Sequence, residues 1–183
     1  MKKTAILSIA SLLLLALWMA GCSPAPKPKP KEFRSEAGRF SVMTPVALTE
    51  RTLSVDTAAA GKSTYYVFQG KQGDKEYAVS YGDIPEGIVQ KSNLQTLLDG
   101  ARNGMVSNIN GKLIFETKIA LEGNPGRQLV IDVMGKNGQE MTVKARIFLV
   151  GNRLYQIMWV APKGKASILD LDAFLQSFRL LKK

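Results

Sequence analysis

Apolar residues fall along this chain in three regimes. From Thr4 to Ala20 they are nearly continuous, with Leu12, Leu13, Leu14 and Leu15 at the middle and Lys2 and Lys3 ahead of them. From Ser23 to Lys31 prolines alternate with small or basic residues. From about Arg34 onward, apolar and polar positions alternate in short runs, broken by two stretches of helical spacing. Alternation with period two predicts half-buried strands, and recurrence at three and four predicts helices.

The runs predict these elements in order. Gly38 to Met43 reads as a first strand, stopped before Pro45. Glu50 to Asp56 alternates weakly. Thr64 to Gln69 and Lys75 to Tyr81 are aromatic and β-branched runs, joined by a hairpin at Gln72-Gly73-Asp74. Ser92 to Met105 predicts a helix, because Leu94, Leu97, Leu98, Ala101 and Met105 form one apolar stripe. Ser92 with Gln95 reads as a capping box. Leu113 to Leu121 follows as a strand. Asp170 to Phe178 predicts a closing helix with Leu171, Phe174, Leu175 and Phe178 on one side.

Between them lies a three-stranded meander. Gly126 to Lys136 and Glu140 to Val150 flank Asn137-Gly138, and Glu140 to Val150 and Arg153 to Ala161 flank Gly151-Asn152. Both dipeptides are two-residue hairpin signals. That register puts Val130, Val143, Ala145, Ile147, Leu149, Leu154, Met158 and Val160 on one face. The other face carries Leu129, Ile131, Phe148, Tyr155, Ile157 and Trp159, with Arg127, Lys144, Arg146 and Arg153 among them. Arg146 should lie across from Leu129 and Ile157, and Lys144 across from Trp159. Both faces are apolar and want cover. The expected fold class is therefore α+β, an antiparallel β-sheet with a C-terminal meander flanked by two helices.

The second face is also the candidate interaction face. Lys144, Arg146, Tyr155, Trp159, Arg153 and Arg127 could form a platform for an acidic or aromatic ligand, or for a partner protein, with cation–π contacts. The alternative is structural: a helix covers the aromatics and the long basic stems reach water.

The N-terminal regime has the layout of a secretory signal: positive, apolar, then small residues at a cut. Met19-Ala20-Gly21-Cys22 resembles the lipobox of bacterial lipoproteins, with Met19 where that pattern prefers Leu. The resemblance implies cleavage between Gly21 and Cys22, diacylglycerol on the Cys22 sulfur and usually acylation of the new amino group. Acyl chains then hold the protein to a membrane at about 0.8 kcal/mol per buried methylene. Ser23 to Lys31 should be extended polyproline II, about 3.1 Å per residue and so roughly 28 Å in all. The expected organisation is a signal peptide over 1–21, a lipidated cysteine and tether over 22–33, and a single α+β domain over 34–183.

Composition narrows the chemistry. The formal charge is +10, with 25 basic and 15 acidic residues; loss of Lys2 and Lys3 with the signal lowers it to +8. For an exported protein the nearest anionic partner is a lipid surface, and nucleic acid is not expected. One cysteine permits no internal disulfide, and the absence of histidine excludes Cys/His zinc sites, histidine general-base catalysis and Ser-His-Asp triads. No metal or cofactor is expected. Ala60-Gly61-Lys62-Ser63 is not a phosphate-binding loop, because a strand follows where a helix is required. Asp83 and Glu86, around Pro85, are the one candidate for paired-carboxylate chemistry.

The domain further resembles the PsbP-like fold family, which includes photosystem II extrinsic proteins and bacterial lipoproteins of unassigned role. The resemblance rests on Gly38-Arg39-Phe40-Ser41-Val42, the mid-chain helix, the Arg146-to-Ala161 hairpin and Phe174-Leu175-Gln176-Ser177-Phe178. It implies an α/β/α sandwich and an accessory or binding role; metal-site histidines of some members have no counterpart here. The expected function is a non-enzymatic module in the cell envelope, bound to the membrane through Cys22 and serving a protein partner. A small-ligand or lipid carrier with a pocket between helix and sheet is the alternative, and a carboxylate hydrolase the third.

Overall fold

In the computed structural model the described residues are 29–57, 61–135, 137–164 and 173–182. The signal, Cys22 and most of the proline-rich stretch lie outside them, as do residues 170–172 of the expected closing helix.

Among the described residues, ten strands and two helices run in the order β1 (Lys31–Ser35), β2 (Phe40–Thr44), β3 (Thr49–Thr57), β4 (Gly61–Gln72), β5 (Lys75–Asp83), α1 (Glu86–Lys91), α2 (Leu94–Asn108), β6 (Lys112–Leu121), β7 (Asn124–Met134), β8 (Glu140–Val150), β9 (Arg153–Pro162) and β10 (Arg179–Leu180). A helical turn at residues 173–176 precedes β10. β1 opens at Lys31, inside the stretch expected to be tether. Seven strands form an antiparallel sheet ordered β3-β4-β5-β9-β8-β7-β6, and β1, β2 and β10 form a second, small sheet. The expected meander is present as β7-β8-β9 and extends by one strand to β6.

Two hairpin series are stitched into one sheet by β5 and β9. Tyr77 lies across from Trp159, Val79 from Ile157 and Tyr81 from Tyr155. The intervening chain, α1 and α2, crosses one face. Asn93 rather than Ser92 caps α2: its Oδ1 accepts from the Gln95 N–H at 2.8 Å, while Ser92 closes α1 with its N–H on the Val89 carbonyl.

The β8–β9 register is the expected one. Gly151, at φ 62°, supplies the left-handed first position of a two-residue turn, and Val150 pairs with Arg153. The β7–β8 register differs by one residue. Gly135 donates to the Gln139 carbonyl at 2.8 Å and Gly138 to the Gly135 carbonyl at 2.9 Å, so the loop holds three residues, with Gly138 at φ 75°. Asn-Gly is compatible with either loop length. The extra residue turns every β7 side chain to the opposite face. Leu129 and Ile131 therefore share a face with Val143 and Ala145, Val130 lies across from Lys144, and Arg146 faces Gln128 instead of Leu129.

Both faces of the central strands are dry. On one, α2 lays Leu98 and Met105 onto Leu129, Ile131, Ala145, Ile147 and Leu154. On the other, Phe40 and Val42 of the small sheet join Phe174, Leu175 and Phe178 in covering Val79, Phe148, Tyr155, Ile157 and Trp159. The expectation of a helix on each face holds on the α2 side only. The second face is covered mainly by strands, because Phe33, Phe40 and Val42 supply an apolar side that the short closing helical turn does not provide alone.

Leu98 is fully buried and Leu94, one turn earlier, is exposed. Leu98→Ala should cost about 3 kcal/mol, and Leu94→Ala should stay within about 0.5 kcal/mol. Urea unfolding of the two variants measures this; equal losses would mean α2 presents a different side to the sheet.

Candidate functional site

The six residues expected to make one platform are divided among four places. Trp159 and Tyr155 lie in the middle strand of the covered face and are 0% and 1% exposed. Phe178 packs edge-on against the Tyr155 ring at 5.4 Å, and the Tyr155 hydroxyl donates to the Gly38 carbonyl at 2.8 Å. Burial pushes the Tyr155 phenol above its ordinary pKa. The aromatic pair is thus core, and the structural alternative applies to it.

Lys144 and Arg146 sit at the margin of that layer, each half-buried. Lys144 lies across from Trp159 and Arg146 from Ile157, as the β8–β9 hairpin predicts. Arg146 Nε donates to Gln128 Oε1 at 3.0 Å and Nη1 to the Leu175 carbonyl at 3.3 Å. Its guanidinium ties the helical turn to the sheet.

Arg153 serves the β1–β2 turn. It grips Asp83 with two bonds, Nε to Oδ1 at 2.6 Å and Nη2 to Oδ2 at 2.8 Å, and donates from Nη1 to the Ala37 carbonyl at 2.9 Å. Its guanidinium also lies over the Tyr81 ring, 4.8 Å from the centroid. The hydrogen bond from Arg153 holds the Asp83 carboxyl below its ordinary pKa, and the pair raises that of Arg153. A general acid working near neutral pH needs the opposite shift. Glu86 stands apart, exposed in the first turn of α1.

Arg127 is on the other face, a consequence of the β7 register. It is buried under α2, with Nη2 donating to Gln95 Oε1 at 2.7 Å and to Asp99 Oδ1 at 3.1 Å. Its Nε lies 2.9 Å from Glu116 Oε1, a close ion pair whose geometry falls short of a hydrogen bond at that oxygen. Arg102 meets the other Glu116 oxygen at 2.8 Å and Asp99 at 3.3 Å. Two arginines and two carboxylates balance, and they lock α2 to β6 and β7. The spacing of Gln95, Asp99 and Arg102 on one side of a helix is the sequence signal for this network.

Lys163, in the basic loop after Pro162, is also committed. It pairs with Asp132 at 2.9 Å, and that hydrogen bond lowers the Asp132 pKa. Among the described residues, no group of three or more His, Cys, Asp or Glu side chains could hold a metal ion. No described helix is long and apolar enough to cross a membrane.

The feature that sequence reading missed is a cleft of about 510 Å³. It opens where the proline-rich stretch joins the domain, between the end of β2, the β4–β5 hairpin tip and the helical turn. Pro30, Met43, Pro45, Tyr77, Ala173 and Phe174 give it apolar walls, and Lys29 and Lys75 add two ammonium groups. The Tyr77 and Phe174 rings meet edge to face at 5.2 Å. The alternative carrier reading called for a pocket between helix and sheet; there Leu98 and Met105 pack into the interface.

No family model and no curated relative matches the chain. Solved structures do. The solution structure of cyanobacterial PsbP (CyanoP) from Synechocystis sp. PCC 6803 aligns with a TM-score of 0.54 at 12% identity, covering 88% of this chain and 98% of that one. A crystal structure from Bacteroides thetaiotaomicron aligns with a TM-score of 0.46 at 16% identity, covering 86% of this chain and 50% of that one. The first of these likenesses shows a PsbP-like fold.

Arg127→Ala should destabilise the domain by about 3 kcal/mol, because it leaves the part-buried Glu116 with Arg102 as its one charged partner and removes the ties to Gln95 and Asp99. Adding Glu116→Gln should recover part of the loss in thermal melts; no recovery would mean Arg127 acts by packing alone. The lowered pKa of Asp83 also sets a pH dependence. Its contribution is complete above the unfolded carboxyl pKa, about 4, and is lost as pH falls through the lower folded value. Asp83→Asn should therefore flatten the acid limb of a stability–pH curve below about pH 4. An unchanged limb would remove Asp83 from the set of stabilising carboxylates.

Proposed function

We propose that this chain is an envelope lipoprotein whose PsbP-like domain acts as a non-catalytic binding or assembly-accessory module. Lipid on Cys22 holds it on the non-cytoplasmic side of a bacterial membrane. The observation that carries the reading is the apolar run from Thr4 to Ala20, ending in Met19-Ala20-Gly21-Cys22 and followed by a proline-rich stretch that leads into β1 at Lys31. Such an order of signal, acceptor cysteine, spacer and folded unit suits a module meant to work close to a bilayer.

Three features support a non-enzymatic role. Asp83 is engaged by Arg153, with its pKa shifted away from that of a general acid. The buried arginine network is charge-balanced and fastens a helix. The chain has no histidine. The partner is a protein or the membrane itself; an exported chain has no occasion to meet nucleic acid, and neither cofactor nor metal is needed. The carrier reading is favoured by the cleft beside Lys29 and Tyr77, in place of a pocket between helix and sheet.

Expression of the full chain and of Cys22→Ser in a bacterial host, followed by fractionation, tests the anchor. The native chain should sediment with membranes through a high-salt wash, and Cys22→Ser should lose that salt-resistant attachment to the lipid. Equal partitioning of the two would reject lipidation as the means of attachment.

A further inference from the structure

We propose that the cleft at the Lys29 end of the domain binds one acyl chain carrying an anionic head. The proposal deepens the tethered-module reading, which it needs for the orientation of the cleft toward a bilayer but not for the ligand.

The chemistry of the walls selects the ligand class. Pro30, Met43 and Pro45 surround a floor made by the Tyr77 and Phe174 rings, so the interior offers contact surface and little hydrogen bonding. A volume of about 510 Å³ lies in the range of small-ligand sites, which are mostly apolar with a few polar groups that fix orientation. Those groups here are Lys29, Gln72 and Lys75, which line the same cleft, with Lys29 the cation nearest the proline-rich stretch. Apolar walls with cationic groups among them match a chain with a carboxylate or phosphate head, and match poorly a neutral polar metabolite or a cation.

Position gives the second argument. Lys29 lines the cleft, and only the six residues from Ser23 to Pro28 separate it from the acyl-acceptor cysteine. A polyproline II chain rises about 3.1 Å per residue, so the seven steps from Cys22 to Lys29 would span roughly 22 Å. The cleft is therefore on the end of the domain from which the anchor departs, within reach of headgroups. Two further clefts among the described residues differ in kind. The one beside Arg127 is walled by paired charges, and the one beside Arg146 is of about 160 Å³.

The fold supplies its own reporter. Signal cleavage would remove Trp18 and leave Trp159 as the single tryptophan. Trp159 is fully buried and is the direct cross-strand neighbour of Tyr77. Bromine atoms on a chain lodged against Tyr77 should quench its fluorescence.

The full chain carrying Cys22→Ser and Trp18→Phe is titrated in solution with dibromostearate and with unbrominated stearate. The native lipidated protein, in phosphatidylethanolamine–phosphatidylglycerol vesicles, is compared with and without dibrominated acyl chains on the phosphatidylglycerol. Saturable quenching by the brominated ligand alone, weakened at least tenfold by Met43→Asp and less by Lys29→Glu, is the expected result. Quenching in solution identifies a free fatty acid, and quenching only in vesicles identifies a membrane phospholipid; either supports the site. No quenching in both settings, or quenching that Met43→Asp leaves unchanged, would overturn it. An unmodified Cys22 in the native protein would defeat the lipoprotein reading while leaving the solution titration able to succeed.

Discussion

β8 and β9 carry apolar side chains on both faces, and a strand of that kind is stable only where both of its faces are kept from water. This requirement organises the domain. α2 closes one side with Leu98 and Met105. The small sheet and the residue 173–178 segment close the other, over Tyr155 and Trp159. Each basic side chain that the sheet carries toward a covered face then needs a partner, since an unpaired buried charge costs several kcal/mol. Arg127 finds Gln95, Asp99 and Glu116, Arg153 finds Asp83, and Arg146 finds Gln128 and the Leu175 carbonyl. The arginines that looked like a binding platform are fasteners between layers.

Much of this was legible along the chain. The alternation from Glu140 to Ala161 defined β8 and β9 and their mutual register, including the pairing of Lys144 with Trp159. The apolar stripe of Leu94 to Met105 identified α2. What period two cannot resolve is loop length. Asn137-Gly138 fits a turn of two or three residues, and that single residue moves Arg127 from the aromatic face to the α2 face. Long-range pairing was equally hidden. Nothing local in Lys75 to Asp83 announces β9 as its neighbour, and nothing in Lys31-Glu32-Phe33 distinguishes an edge strand from the lysine-rich stretch before it. The cleft was missed for the same reason. Its walls come from Pro30, Met43, Tyr77 and Phe174, which only the tertiary fold brings together.

With both faces of the central strands closed, the surfaces left for function are the outer strands, the ends and edges of the sheet and the outer sides of the layers that cover it. A PsbP-like fold does not name an activity, because folds host sites rather than determine them. The cleft end is distinctive on two counts: it is largely apolar with lysines in its lining, and it lies where the proline-rich stretch meets β1.

The mass of the mature protein purified from membranes bears most directly on this picture. A chain beginning at Cys22, with diacylglycerol on sulfur and an acyl group on its amino nitrogen, is the expected species. A chain that retains Met1, or one with a bare thiol at residue 22, would contradict it.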